Sequence, residues 1–173
     1  MVKRDNDYGF TLIELLIVVS IIGIIASIGV AQLMRARLVA NETAAIGSLR
    51  TVNSGQTSYA SAAGQGGYAA SLTILATPCP GSPPFVSSDL NPAAPGVPVV
   101  GTGILKSGYV IDMVATGVAG PNDCSGVPTT SAYSATAVPR TLGASGERGF
   151  NTSANGSILW ASGGLTNGTT PIQ

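Results

Sequence analysis

The hydrophobic and polar positions divide the chain into three stretches of different character. Residues 15–31 form an uncharged apolar run in which only Ser20 and Ser27 carry a polar side chain. About 20 apolar residues in a helix are enough to cross a bilayer. We therefore predict a hydrophobic, membrane-spanning helix over residues 10–34.

Residues 35–63 predict an amphipathic continuation of this helix. They contain no proline and are rich in residues that favour helices. Apolar side chains recur at spacings of three, four and seven residues, at Leu38, Ala45, Leu49, Val52 and Tyr59. Such a stripe predicts a face that packs against a globular head. The charged residues of this stretch are expected to lie largely off the stripe: Arg35, Arg37, Glu42 and Arg50. Glycines near residues 64–67 predict the end of the helix at about Ala62.

Residues 64–173 predict one small β-rich head. Strands are predicted at residues 109–116, 132–138, 148–153 and 157–161. The Asn155-Gly156 pair between the last two is a strong signal for a tight hairpin. Three apolar residues of these last strands are expected to bury against the stripe: Phe150, Ile158 and Trp160. The fold class predicted is α+β, a long N-terminal helix with a four-stranded antiparallel sheet packed on its second half.

A proline-rich stretch at residues 75–103 is predicted to be a surface loop. Its seven prolines exclude a helix and discourage a central strand.

Glu14 lies just inside the apolar run and is the residue that most needs an explanation. A carboxylate at the depth of a bilayer is costly unless a cation pairs with it. Lys3 and Arg4 give the short leader a basic start. Two simpler interpretations are open from these residues, a secretory signal cleaved near Ala31 and a plain single-pass anchor. Neither gives Glu14 a role.

The leader and the start of the run resemble the type IV filament family, which comprises type IV pilins and the pseudopilins of type II secretion. The resemblance is carried by Lys3-Arg4 and by residues 9–24, GFTLIELLIVVSIIGI. It implies a prepilin with a class III N-terminal signal. A prepilin peptidase would remove residues 1–9 by cutting after Gly9, and would N-methylate Phe10. It also implies that Glu14 pairs with the N-terminal amine of Phe10 in a neighbouring subunit.

Shorter stretches are similar to a subset of pilin-like proteins. They include Asn41-Glu42 on the helix and Gly146-Glu147-Arg148 with Phe150 in the head. One feature departs from the family, since many pilins have a proline where this chain has Ala31. Whether the helix melts between Gly23 and Gly29 is therefore left open.

The resemblance implies a structural subunit of a type IV pilus-like filament. The partners it implies are further copies of the chain in a helical homopolymer, the prepilin peptidase, an inner-membrane assembly machinery and minor pilins. It places the precursor in the inner membrane with one span and a periplasmic head, and the mature chain in an extracellular or periplasmic filament. Two alternatives stay open: a minor pilin or pseudopilin, and, outside the family, a single-pass membrane protein with a periplasmic binding head.

Two cysteines, Cys79 and Cys124, fit an exported chain. A disulfide between them is predicted, and two free buried thiols are the alternative. Closing a loop of this length stabilises the fold by roughly 4 kcal/mol in the chain-entropy treatment. The chain has no histidine to complete a zinc site.

Composition argues against several other functions. Without histidine the chain lacks the commonest general base, so we expect no enzyme, no catalytic residue and no cofactor. Asp89 or Asp123 could bind calcium, but no dense set of oxygen ligands accompanies either, and no metal site is predicted. The formal net charge is zero and no basic patch indicates a nucleic-acid partner.

Overall fold

The structure, a computed structural model, describes residues 9–77, 79–164 and 166–172. The predicted leader, including Lys3 and Arg4, lies outside these residues except for Gly9. The described residues fall into two units that divide between Arg37 and Leu38.

Helix α1 runs from Leu12 to Ala62, two residues shorter at its start than predicted and with the predicted end. It is unbroken over Gly23 and Gly29. At its end the carbonyl of Tyr59 accepts hydrogen bonds from the amides of the next two residues beyond the helix. The following residues adopt positive φ angles, 50° and 90°, which turn the chain away from the helix axis.

A seven-stranded antiparallel sheet follows, in the spatial order β1-β2-β3-β6-β7-β8-β9. The strands of this sheet are β1 (Val99–Val100), β2 (Gly103–Lys106), β3 (Tyr109–Ala115), β6 (Tyr133–Pro139), β7 (Arg148–Ser153), β8 (Ile158–Ser162) and β9 (Thr170–Pro171). A separate two-stranded sheet pairs β4 (Ala119–Asn122) with β5 (Pro128–Thr130).

The antiparallel head is confirmed, but the predicted number of four strands is wrong. The four predicted strands are β3, β6, β7 and β8, and each has both ends within one residue of the prediction. The additional strands have two to four residues and no clear alternation of buried and exposed positions. They form because neighbouring strands offer an edge to pair with, which the local sequence does not reveal.

The proline-rich stretch is less exposed than the predicted surface loop. The short helix α2 (Leu72–Ala76) extends into its start, a 3-10 helix covers Ser88–Leu90, and β1 lies near its end. Leu90 is fully buried and Val86 nearly so. The prolines exclude a long helix as predicted, yet the apolar residues between them contribute to the core.

The core lies between the second half of α1 and one face of the sheet. Ala45, Leu49, Val52 and Tyr59 are buried as the stripe predicts, and Leu38 is half-buried. The sheet contributes alternate side chains of its central strands: Tyr109, Ile111 and Met113 from β3, Tyr133, Ala135 and Ala137 from β6, and Phe150 from β7. Ile158 and Trp160 pack against this core while partly exposed.

Candidate assembly site

Thr11 starts helix α1 and holds the side chain of Glu14 beside the first turn. The Thr11 Oγ1 atom accepts a hydrogen bond from the amide of Glu14 at 3.3 Å. The same hydroxyl donates to Glu14 Oε2, also at 3.3 Å. The first bond is the N-cap half of a capping box, in which a threonine side chain accepts from the amide three residues later, while the Glu14 carboxylate accepts here from the Thr11 hydroxyl. The carboxylate also lies where the helix dipole favours a negative charge.

Gly9, Phe10 and Glu14 are therefore brought to one end of α1, with all three exposed. Gly9 and Phe10 precede the helix and are not enclosed by it. The two residues that flank the predicted cleavage point are thus exposed and outside the helix. Among residues 9–77, 79–164 and 166–172, the hydrogen-bond partner of the Glu14 carboxylate is Thr11, and the Glu14 side chain is exposed.

The surface of α1 that follows Glu14 is apolar in every direction. Large apolar side chains of residues 10–34 are 49% to 83% exposed. The hydroxyls of Ser20 and Ser27 donate to carbonyls of their own helix, at 2.7 Å to Leu16 and 2.8 Å to Ile24. The two hydroxyls of residues 15–31 are thus satisfied within the helix, which is the condition for such groups in lipid or in a packed helical core.

In the part of the chain that the structure describes, one helix, α1, has the length and the apolar character needed to cross a membrane. That finding rests on length and composition. An apolar surface of this kind in water would be a large liability, so it needs lipid or another apolar surface around it.

Glu42 joins the second half of α1 to the head. Its Oε2 atom accepts hydrogen bonds from Arg148 Nε at 2.8 Å and Nη2 at 2.5 Å. Its Oε1 atom accepts from the amides of Glu147 and Arg148, at 3.1 and 3.2 Å. The Arg148 guanidinium lies over the rings of Phe150 and Trp160, 5.8 and 5.4 Å from their centres. The carboxylate is thus bound on both oxygens by one short segment of the head.

These contacts keep Glu42 ionised although its residue is only 6% exposed. Burial by itself would raise the pKa of the carboxyl. The hydrogen bonds from the Arg148 side chain and the Glu147 amide outweigh that effect and hold the pKa of Glu42 below its ordinary value.

The prediction that Glu42 lies off the apolar stripe is wrong. Glu42 is seven residues before Leu49, which is seven before Gln56, and all three are buried. The spacing of seven residues places Glu42 on the same buried face as Leu49 and Gln56, but we had not expected a charged residue on that face. Asn41-Glu42 and Gly146-Glu147-Arg148 were each named as stretches similar to pilin-like proteins, but the contact that the structure shows between them was not predicted.

Two more polar residues of α1, Gln56 and Asn53, bind the head. Gln56 is fully buried and exchanges two hydrogen bonds of 2.9 Å with the backbone of Ala69. Asn53 Oδ1 accepts from the Tyr133 hydroxyl at 3.0 Å, and burial raises the pKa of that phenol to about 12, so it remains a donor. The position of the head along α1 is therefore set by directional bonds as well as by apolar packing.

The predicted disulfide between Cys79 and Cys124 is present, with 5.8 Å between the Cα atoms. Cys79 is buried and Cys124 is exposed. Beside Cys124, Asp123 Oδ2 accepts from the Tyr59 hydroxyl at 2.8 Å. The bridge thus connects the proline-rich stretch to the β4–β5 hairpin, and Asp123 connects that hairpin to α1.

The two acids named as possible calcium ligands have other partners. Asp89 pairs with Lys106 and accepts from Ser87, and the hydrogen bond from Lys106 lowers the pKa of Asp89. Asp123 Oδ1 accepts from the amides of Ser125 and Val127 at 2.8 Å. Among the described residues no group of three or more acidic or cysteine side chains could hold a metal ion.

One comparison with known proteins bears on this site. A family model described as the prokaryotic N-terminal methylation motif matches residues 4–30, which include Gly9, Phe10 and Glu14. No curated protein and no solved structure shows significant similarity to the chain. The chain therefore carries a prokaryotic N-terminal methylation motif, which supports the resemblance to a type IV pilin-like prepilin, and its long helix and antiparallel head are consistent with the α+β fold that the resemblance implies.

Proposed function

We propose that the chain is a structural subunit of a type IV pilus-like filament, made as a membrane-anchored precursor. The observation that carries the proposal is the exposed apolar surface of α1, which begins at a single carboxylate and directly follows the methylation motif. Lipid covers that surface before assembly, and the same segment of neighbouring subunits covers it afterwards.

Cleavage after Gly9 creates an α-amine at Phe10, which is cationic at neutral pH. That amine is the cation that Glu14 needs in an apolar surrounding. In the membrane the amine of the same chain lies four positions away and is within reach. In the filament the amine of the next subunit replaces it, and this exchange sets the axial register. A structural role also agrees with the lack of histidine in the chain.

Replacing Glu14 tests the proposal. We expect Glu14→Ala to be processed and inserted into the membrane but to be lost from filaments by at least an order of magnitude. Ser20→Ala is the matched control, since it also removes an exposed polar group from α1 but leaves the charge unchanged. Immunoblots of sheared surface material against whole cells measure the assembled fraction. Assembly of processed Glu14→Ala at the level of the control would refute the role of Glu14.

A further inference from the structure

Arg35 and Arg37 stand at the C-terminal end of the apolar part of α1. Both side chains are exposed. Among the described residues neither has a carboxylate within 4.0 Å, since the ion pairs formed there involve other side chains. By contrast, Arg148 forms an ion pair with Glu42 in the head. The two unpaired guanidinium groups thus lie free beside the apolar run.

Their distance from Glu14 matches the thickness of a membrane. Residues 15–34, the twenty positions between Glu14 and Arg35, contain no charged side chain and are helical throughout. At about 1.5 Å per residue this interval is about 30 Å long, which is the thickness of the hydrocarbon core of a typical bilayer. A shift of one helical turn in either direction would draw either Glu14 or Arg35 into hydrocarbon. The two charges therefore define one preferred depth.

We propose that Arg35 and Arg37 bind phosphate groups of anionic phospholipids in the leaflet at the C-terminal end of the span, and that this contact fixes the depth of α1. The inference rests on the proposed membrane-anchored precursor. A guanidinium presents a planar pair of donors that matches a phosphate, and its long side chain can extend toward the headgroups. Basic residues beside a span are attracted to anionic lipids.

Residues two positions apart lie on nearly opposite sides of a helix, so each arginine meets a different headgroup. This depth places the Gly9–Phe10 bond beyond Glu14, among the headgroups of the opposite leaflet. By fixing the depth of α1, the two arginines at one end of the span would keep the Gly9–Phe10 bond at the other end accessible to a peptidase.

The depth of a spin label measures this contact. The full chain carries Ala31→Cys with a nitroxide, the native disulfide kept oxidised, in vesicles of phosphatidylcholine with phosphatidylglycerol. Collisions with oxygen and with a water-soluble nickel complex report the depth of the label. We expect R35Q/R37Q to move the label deeper by up to one helical turn, about 5 Å. R50Q/R140Q is the matched control, because it removes two exposed arginines from the other unit, and it should cause no shift.

In vesicles of phosphatidylcholine alone, the shift between the unaltered arginines and R35Q/R37Q should fall by at least half. An unchanged depth in R35Q/R37Q, an equal shift in the control, or an equal shift in both lipids would overturn the inference. A label fully accessible to nickel in the chain with all its arginines would show that α1 does not span. That result would overturn the membrane-anchored precursor itself, and so is distinguishable from the loss of lipid binding alone.

Discussion

Glu14 and Glu42 are carboxylates on the same helix with opposite surroundings. Within the described part of the chain Glu14 is exposed and its carboxylate is hydrogen-bonded to Thr11, whereas Glu42 is buried and bound on both oxygens by residues 147–148. The first has capacity for a partner from outside the chain, and the second has its partners within the chain. One carboxylate therefore serves assembly in our proposal, and the other holds the head on its helix.

Glu42→Gln is expected to lower the free energy of unfolding at pH 7 by about 2 kcal/mol, because hydrogen bonds to a charged group are lost in a buried place. The pKa of Glu42 is lowered in the folded state, so its contribution is complete above the ordinary value of 4.5 and is lost as the pH falls through the lower folded-state pKa. The difference between the unaltered chain and Glu42→Gln should therefore shrink on going from pH 7 to pH 3. Unfolding in urea, in detergent micelles, measures it.

Glu147→Gln is the control for this prediction, because Glu147 is adjacent in space and exposed. It should change the unfolding free energy by less than about 0.5 kcal/mol. Equal stabilities of Glu42→Gln and Glu147→Gln at pH 7 would mean that the contact with Arg148 contributes nothing.

At the residue scale, sequence reasoning singled out the N-terminal residues, whose roles stay predictions, and it missed the contact of Glu42 with the head. Glu14 could be singled out because a lone charge in an apolar run is conspicuous by itself. Glu42 could not be singled out in this way, because its structural role depends on a contact with Arg148, which is 106 residues away in the chain. Nothing local to Glu42 indicates that a partner will meet it.

At the scale of elements, the second half of α1 contains two glycines with different surroundings, one packed closely and one open. Gly55 packs against the proline-rich stretch, where an added Cβ would lie 2.7 Å from Val86 Cγ1 and 2.9 Å from the Phe85 carbonyl oxygen. Gly47 has nothing within 4 Å of an added Cβ. Only Gly55 is needed for the approach of another element, although both lower the helix propensity.

Alanine at these two positions should therefore have opposite effects. Gly47→Ala is expected to raise the free energy of unfolding by about 0.5 to 1 kcal/mol through helix propensity. Gly55→Ala is expected to lower the free energy of unfolding by about 1 to 3 kcal/mol, because the cost of overpacking against residues 85–86 is larger than the gain in helix propensity. Thermal unfolding of both variants under one condition is sufficient. Stabilisation by Gly55→Ala would show that α1 and residues 85–86 are less closely packed than described.

The elements that could be predicted are those in which apolar residues recur at a regular spacing within the element itself. The stripe of α1 and the alternation in β3 are local patterns, and both were located within two residues. The strands β1, β2 and β9 have no such pattern and exist because a neighbouring strand pairs with them. The same holds for Leu90, whose burial between prolines results from tertiary packing.

At the scale of the whole molecule, the proposed processing leaves the balance of basic and acidic side chains unchanged. The sequence has eight basic and eight acidic residues, and the leader holds two of each, so the side chains of residues 10–173 remain balanced at six and six. Cleavage places the α-amine of the mature chain at Phe10, four positions before Glu14. A neutral chain with an apolar N-terminal helix is suited to close packing with its own copies, because little net repulsion opposes it.

The mass of the N-terminal peptide of the mature protein tests this account most directly. We predict a chain that begins at Phe10 and carries one methyl group on its α-amine. A chain that begins at Gln32 would indicate a cleaved secretory signal, and one that begins at Met1 would indicate a plain membrane anchor. Either result would contradict prepilin processing, and with it the filament subunit proposed here.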